Sequence, residues 1–467
     1  GQVGRFDYAF SIARQGEGGY PRVYDDRRNT LAFFQGDLSL GRYGELQIMA
    51  GHARGDYQAQ NVNSAYPGTF ERDFTDTNGF ESLQWRYAFT PDDELLFSLA
   101  HDRVHHGDPG FSSAAVIPGV VLNIDFQFEE EREEVQLQYA RNFSDRWRAV
   151  TGLGFYRDAY RSLYYLNTDA EAVTDVTQIF GHGEYRPWEN LVFNLGAMIE
   201  RAPLSDEWLF LPRASAHWHL DPHHTLRLIY STGSRQPSVY ENQGQAIIQG
   251  LNVPLTLFRV YATGIERGGL SPERSRSLEL GYFWQPAPAV NLDLRAFEER
   301  IDDYIVAYDR PETHYPTVLA GNEVVDFRNE GPITTRGFEV QLNWKNERGT
   351  RLFGGYAWLK ANTDSLLLKD YAQSVPRHGA SLLLDQTFEG GWEASLAYKY
   401  QGAMHWYREA PLSSYNSLTG RVAKRLHWGK TAALVELIGG HLAGSVSDYR
   451  PEREWDRGLY VRFSIDH

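Results

Sequence analysis

Trp392-Glu393-Ala394-Ser395-Leu396-Ala397-Tyr398-Lys399-Tyr400 puts aromatic and apolar side chains on one side of an extended chain, and Glu393, Ser395 and Lys399 on the other. Side chains of a strand point alternately to opposite faces, so period two reads as a strand with one greasy and one polar face. The pattern returns at Phe338-Glu339-Val340-Gln341-Leu342-Asn343-Trp344, at Leu278-Glu279-Leu280-Gly281-Tyr282 and at Val135-Gln136-Leu137-Gln138-Tyr139. A soluble sandwich would turn the greasy face to a core, whereas a membrane barrel would turn it to lipid and the polar face to a wet lumen. Alternation alone allows both.

Working outward, such segments recur about twenty times in 467 residues, with little helical periodicity between them. That spacing of roughly 23 residues suits a tilted spanning strand of about 9–11 residues plus a connection. The expected strand centres run from residue 8 to residue 436, one of them near 126, with Gly458 to Asp466 as an extra strand. Tryptophans such as Trp85, Trp147, Trp188, Trp284, Trp344, Trp358, Trp392 and Trp428 fall near strand ends, where interfacial girdles belong. Connections alternate between tight turns, such as Thr90-Pro91-Asp92-Asp93 and Asp221-Pro222-His223-His224, and long polar segments. The long segments lie near 61–75, 106–119, 160–174, 238–270, 309–323, 363–374 and 403–413. The reading is an all-β, transmembrane antiparallel β-barrel of about 20–22 strands, one unit over residues 1–467 with no linker.

Composition agrees. A mean hydropathy of −0.49 and 23% charged residues exclude a bundle of membrane helices, and 42% hydrophobic residues exclude disorder. The absence of cysteine removes disulfides, thiolate metal sites and thiol nucleophiles. A net charge of −15 makes nucleic acid an unsuitable partner. No Gly-x-Ser-x-Gly motif points to an enzyme. The start at Gly1 without a charged-then-apolar leader is expected of a processed precursor or of a longer protein entered partway.

Residues 211–284 are more specific. Leu211-Pro212-Arg213-Ala214-Ser215-Ala216 leads through the Asp-Pro turn to a strand ending Gly233-Ser234-Arg235-Gln236-Pro237-Ser238, followed by Tyr240-Glu241. Leu270-Ser271-Pro272-Glu273 opens a strand through Glu279-Leu280-Gly281-Tyr282, and Asn329-Glu330-Gly331 precedes Gly337-Phe338-Glu339. Val375-Pro376-Arg377-His378 stands before a further strand. In this order and spacing, the segments resemble the mid-barrel of TonB-dependent outer-membrane receptors. The resemblance implies a transport protein of the bacterial outer membrane, not an enzyme, taking up a ferric siderophore, haem, a cobalamin or an oligosaccharide. It also implies no cofactor, a monomer among lipid and lipopolysaccharide, and energy from the TonB–ExbB–ExbD complex if a plug lies upstream. The family's N-terminal plug is not in this chain, and its 22 strands leave room for one more strand here. The alternative is a plugless passive or export pore with a periplasmic N-terminal partner or domain.

Ligand contacts are expected where long loops combine aromatics with positive charge, which suits anionic chelates. Tyr240, Phe258, Arg259, Tyr261 and Arg267 lie in one such loop, His314 and Tyr315 in another, and His405, Trp406, Tyr407 and Arg408 in a third. His217 and His219 share a strand face towards the lumen and are weak metal candidates, as are His101, His105 and His106 near a loop. The run Glu129-Glu130-Glu131-Arg132-Glu133-Glu134 charges both faces, so it is expected to extend a hairpin above the membrane. Its readings are a solvated rim bridged to lipopolysaccharide by divalent ions, or an attractor for a cationic substrate.

Overall fold

The computed structural model describes residues 1–19, 24–63, 66–108, 111–112, 119–123, 125–254, 256–264, 266, 268–310, 324–406, 411–429, 431–447 and 454–466. One sheet of 21 strands dominates them. Gln2–Val3 is a two-residue fragment of it, and the other twenty strands form a wall. The first ten are β1 (Phe6–Glu17), β2 (Arg27–Ser39), β3 (Glu45–Asn63), β4 (Tyr66–Thr90), β5 (Asp93–Gly107), β6 (Phe128–Ser144), β7 (Trp147–Arg161), β8 (Ala172–Trp188), β9 (Leu191–Ala202) and β10 (Glu207–Asp221). The second ten are β11 (His224–Arg235), β12 (Glu273–Ala287), β13 (Val290–Asp302), β14 (Ile333–Lys345), β15 (Thr350–Asn362), β16 (His378–Phe388), β17 (Trp392–Gln401), β18 (Tyr415–Trp428), β19 (Thr431–Gly440) and β20 (Gly458–Asp466). Each pairs antiparallel with the next, so the barrel wall is an up-and-down meander.

Register turns the sequence alternation into two surfaces. Leu228, Leu280, Ala296, Phe338 and Trp358 stand side by side on one face. One residue away, Arg227, Gly281, Arg295 and Glu339 line the other. On the apolar face Leu195 is 64% and Phe210 65% exposed, so that face packs against no protein core. A sandwich would have buried it; a lipid-facing wall leaves it open.

Eight of the twelve tryptophans (Trp85, Trp147, Trp188, Trp218, Trp284, Trp344, Trp392 and Trp428) stand at the end where strands join by tight turns. They form an interfacial girdle at the periplasmic end. The long connections gather at the opposite, extracellular end. There Phe111–Ser112, Leu122–Asn123, Ile247–Gly250 and Thr256–Arg259, drawn from two loops, make a four-stranded sheet. Tyr304–Arg310 pairs with Val324–Glu330 in a third loop, and a parallel bridge from Val260 to Val325 joins the second loop to the third. The buried core lies in this cap, around Ala246, Val260 and Val325 with Tyr164, Tyr165, Tyr240 and Phe327. A second cluster joins Val306, Ile333 and Leu368.

Two expectations are corrected. No strand is centred near residue 126, because residues 125–127 belong to the cap and β6 starts at Phe128. The long loop expected near 61–75 is instead a tall hairpin, with β3 continuing to Asn63 and β4 starting at Tyr66. A polar sequence does not end a strand that rises above the membrane into water. Gly458 to Asp466, expected as an extra, is the twentieth strand.

Candidate ligand-binding site

The acidic run sits at the start of β6 and divides between the two faces. On the outside, Glu131 receives Arg103 (2.7 Å) and Glu129 contacts His105 (3.2 Å). On the luminal side Arg132 stands opposite Asp158 of β7 and holds it bidentately, Nε to Oδ1 at 2.5 Å and Nη2 to Oδ2 at 2.7 Å. The same guanidinium lies 4.7 Å over the Tyr156 ring. A paired fork on an aromatic face fixes the arginine's position more tightly than either contact alone.

Two short helices overhang this wall. Ser162 caps α1 (Leu163–Leu166) by accepting from Tyr165 N (3.1 Å), and its hydroxyl donates to Gln127 O (2.6 Å). Ser238 and Glu241 form a capping box on α2 (Val239–Gln243). Arg235, at the top of β11, donates to both Glu241 oxygens (3.0 Å each) and to Glu273 (2.6 Å). Glu273 also accepts from Ile305 N at 2.8 Å. Asn329 donates to Ser271 O (2.8 Å) and Asp303 O (2.7 Å) and accepts from Ser271 N (2.9 Å). The motif residues Arg235, Glu241, Glu273 and Asn329 therefore hold loop bases to the wall and carry Tyr240 into place.

Tyr240 packs edge-on to Tyr165 (5.2 Å) and Phe327 (5.7 Å). Between it and the wall lies a cavity of about 330 Å³ bounded by Arg132, Tyr156, Asp158, Tyr160 and Gln236. Burial pushes the phenols of Tyr164, Tyr165 and Tyr240 above their ordinary value, so they remain protonated donors at neutral pH. The cavity offers the rings and hydroxyls of Tyr156, Tyr160 and Tyr240, the Arg132–Asp158 pair and the further carboxylate of Glu130, a set suited to holding a ligand.

A second cavity of about 370 Å³ opens on the same luminal surface ten strands further round, where β17 and β18 meet the last two extracellular loops. Lys399, Trp406, Tyr415, His441 and Trp455 line it.

Of the loop residues expected from sequence, Tyr240 lines the first cavity and Trp406 the second. Arg259 lies 5.4 Å over the Tyr261 ring, and Tyr261 donates to Glu266 (3.2 Å); both belong to the cap and border neither cavity. Phe258 is in the Thr256–Arg259 strand, and His405 pairs with Pro411 in a small hairpin. Arg267, His314, Tyr315, Tyr407 and Arg408 lie outside the described residues. His217 and His219 do share the luminal face, where they contact Ser215 (3.2 Å) and Thr225 (2.9 Å). Among the described residues no cluster of three metal-ligating side chains includes them, or His101, His105 and His106. Sequence reasoning missed Arg132, Tyr156 and Asp158. The period-two pattern already placed Tyr156, Asp158 and Tyr160 on one face, but only the pairing of β6 with β7 brings Arg132 to them.

A family model described as TonB dependent receptor-like, beta-barrel, matches residues 4–435. No curated protein matches in sequence. Among solved structures, a mutant ferric enterobactin receptor (PfeA) of Pseudomonas aeruginosa superposes with a TM-score of 0.78 at 11% identity, over 99% of this chain and 75% of that one. The siderophore receptor PirA of Acinetobacter baumannii gives 0.75 at 13% identity, over 95% and 71%. The copper transporter OprC gives 0.72 at 12%, over 98% and 75%. At these identities the likeness shows the fold alone.

Proposed function

The chain belongs to the TonB-dependent receptor-like β-barrel family of bacterial outer-membrane transporters, and from that premise we propose that it takes up a scarce small-molecule ligand captured at the extracellular mouth. The observation that carries this reading is the cavity between Arg132 and Tyr240, on the luminal wall and beneath the loop cap. A ligand held there is already inside the rim, with the polar luminal face below it. Candidate ligands are a ferric siderophore, haem, a cobalamin or an oligosaccharide. The structural neighbours, siderophore receptors and a copper transporter, favour a metal chelate. With a plug upstream of this barrel, passage would be driven by the TonB–ExbB–ExbD complex, the barrel being a monomer set in lipid and lipopolysaccharide.

The test is titration of the purified full chain in detergent with ferric enterobactin, haemin, cyanocobalamin and maltoheptaose, alongside R132A and Y240A. Saturable binding of one of them, weakened roughly tenfold or more by each substitution, is expected of a buried aromatic or arginine anchor. Binding unchanged in both variants would move the site elsewhere. No binding of any probe, together with a steady channel conductance, would favour the passive or export pore instead.

A further inference from the structure

The second cavity differs from the first in its charge. Lys399, on the luminal face of β17, stands between Ser381 and Ser417 in register, and among the described residues no carboxylate borders the cavity. Among the described residues Lys399 makes no ion pair. Four ring systems line the same cavity: Trp406 and Tyr415 from the loop after β17 and the start of β18, and His441 and Trp455 from the loop before β20. The His441 ring stacks on Trp455 with centroids 6.2 Å apart and planes at 18°, and its Nδ1 lies 3.4 Å from Ser417 Oγ. The loop before β20 therefore presents two nearly parallel rings, and Trp406 and Tyr415 add rings from a second side, beside an ammonium that no described residue pairs.

From this arrangement we infer that the cavity is a second ligand site, selective for an aromatic carboxylate. A planar ring enters the space lined by Trp406, Tyr415 and Trp455, where offset or edge-on packing is favourable. Its carboxylate accepts from the Lys399 ammonium in a charge-assisted bond. Ser417 lies beside the carboxylate's path as a hydroxyl donor. Neither half of the site suffices: the rings alone would accept any arene, and the lysine alone any anion. The two cavities lie ten strands apart along the luminal wall, one holding the Arg132–Asp158 pair and the other a lysine that no described residue pairs.

The site is tested directly, whatever the fate of the uptake reading on which its biological use rests. The full chain in detergent is titrated with 4-hydroxybenzoate, 4-hydroxybenzamide, cyclohexanecarboxylate and acetate, followed by calorimetry. 4-Hydroxybenzoate should bind at least about tenfold more tightly than the other three, as expected from losing one charge-assisted bond or one ring contact. K399Q should erase the preference of benzoate over benzamide, and W455A the preference over cyclohexanecarboxylate. K360A, on the outer face, should change neither. Equal affinity for 4-hydroxybenzoate and 4-hydroxybenzamide on the unmodified chain would overturn the proposal, and that comparison needs no variant to fold. So would an unaltered preference in K399Q with its heat-modifiable mobility retained.

Discussion

Gly281 shows how a single missing side chain shapes the lumen. A Cβ there would meet Arg227 Nε at 2.1 Å, because the arginine of β11 passes over this position to reach Asp293 on β13. It donates through Nη1 (2.9 Å) and Nη2 (2.7 Å) to the two carboxylate oxygens, lying directly over Gly281 of β12 on the way. G281A should displace the guanidinium and leave Asp293 without its fork. The expected loss is about 1–3 kcal/mol, the range for a charged group deprived of its hydrogen bonds. It is read as a lower temperature for loss of heat-modifiable mobility, with R227A no worse than G281A if the pair is the cause. Glu436 makes a similar crossing point near the other edge. It is fully buried and accepts from both Arg421 (2.6 Å) and Arg462, so it ties β18, β19 and β20 together. E436Q removes the charge that both arginines share and should destabilise more than E393Q, whose carboxylate meets Arg421 and Arg425 on the exposed side of the network. The same thermal assay ranks them.

At the level of elements, the strands were legible and the cap was not. Strand positions followed from alternation, because a lipid face and a wet face impose period two along the whole wall. The tight turns followed from their Pro, Asp and Asn residues. What alternation cannot show is which distant loops meet, and the cap depends on that. Asp326, fully buried, accepts from Thr263 N (3.0 Å), Thr263 Oγ1 (2.7 Å) and Tyr308 OH (3.2 Å), joining residues 63 positions apart. Nothing near Asp326 in sequence marks it for that role. D326A should unlatch the second and third loops, so limited proteolysis would cut near residues 256–264 while the wall stays resistant. The tyrosines of the cap supply a second handle. Tyr164, Tyr165 and Tyr240 hold their protons above the ordinary value of 10.0, so the packed cap binds protons that an opened cap would release. Their contribution is therefore intact below about pH 10 and is lost as pH rises beyond it. Ultraviolet titration should show these phenols ionising late, together with cap opening; Y164F/Y165F/Y240F should remove that alkaline step and keep the wall folded.

For the whole molecule the open question is the seam. Among the described residues β20 pairs with β19 alone, and β1 pairs with β2 and with the fragment Gln2–Val3. Both edge strands carry lipid-facing side chains, Phe10 and Ile12 on one and Val461, Phe463 and Ile465 on the other. Hydrocarbon offers no hydrogen bonds, so a bare row of N–H and C=O groups cannot stay in the bilayer. β1 rises from the tight-turn end and β20 descends to it, so the two edges run antiparallel. They can meet directly or through an even number of further strands. A single added strand, which the sequence reading left room for, would have to run parallel to one of them and break the meander. The prediction is that in lipid bilayers the amides of Tyr8–Ile12 and Val461–Ile465 are as protected from hydrogen exchange as those of Tyr356–Trp358 in the middle of the wall. In detergent, where the edges can be wetted, they should exchange faster than the central strands. Rapid exchange at both edges in a bilayer-inserted, protease-resistant barrel would mean that the wall tolerates an open seam, against the cost that hydrocarbon sets on unpaired backbone. Protection of one edge alone would show that a strand pairs there without bridging the gap.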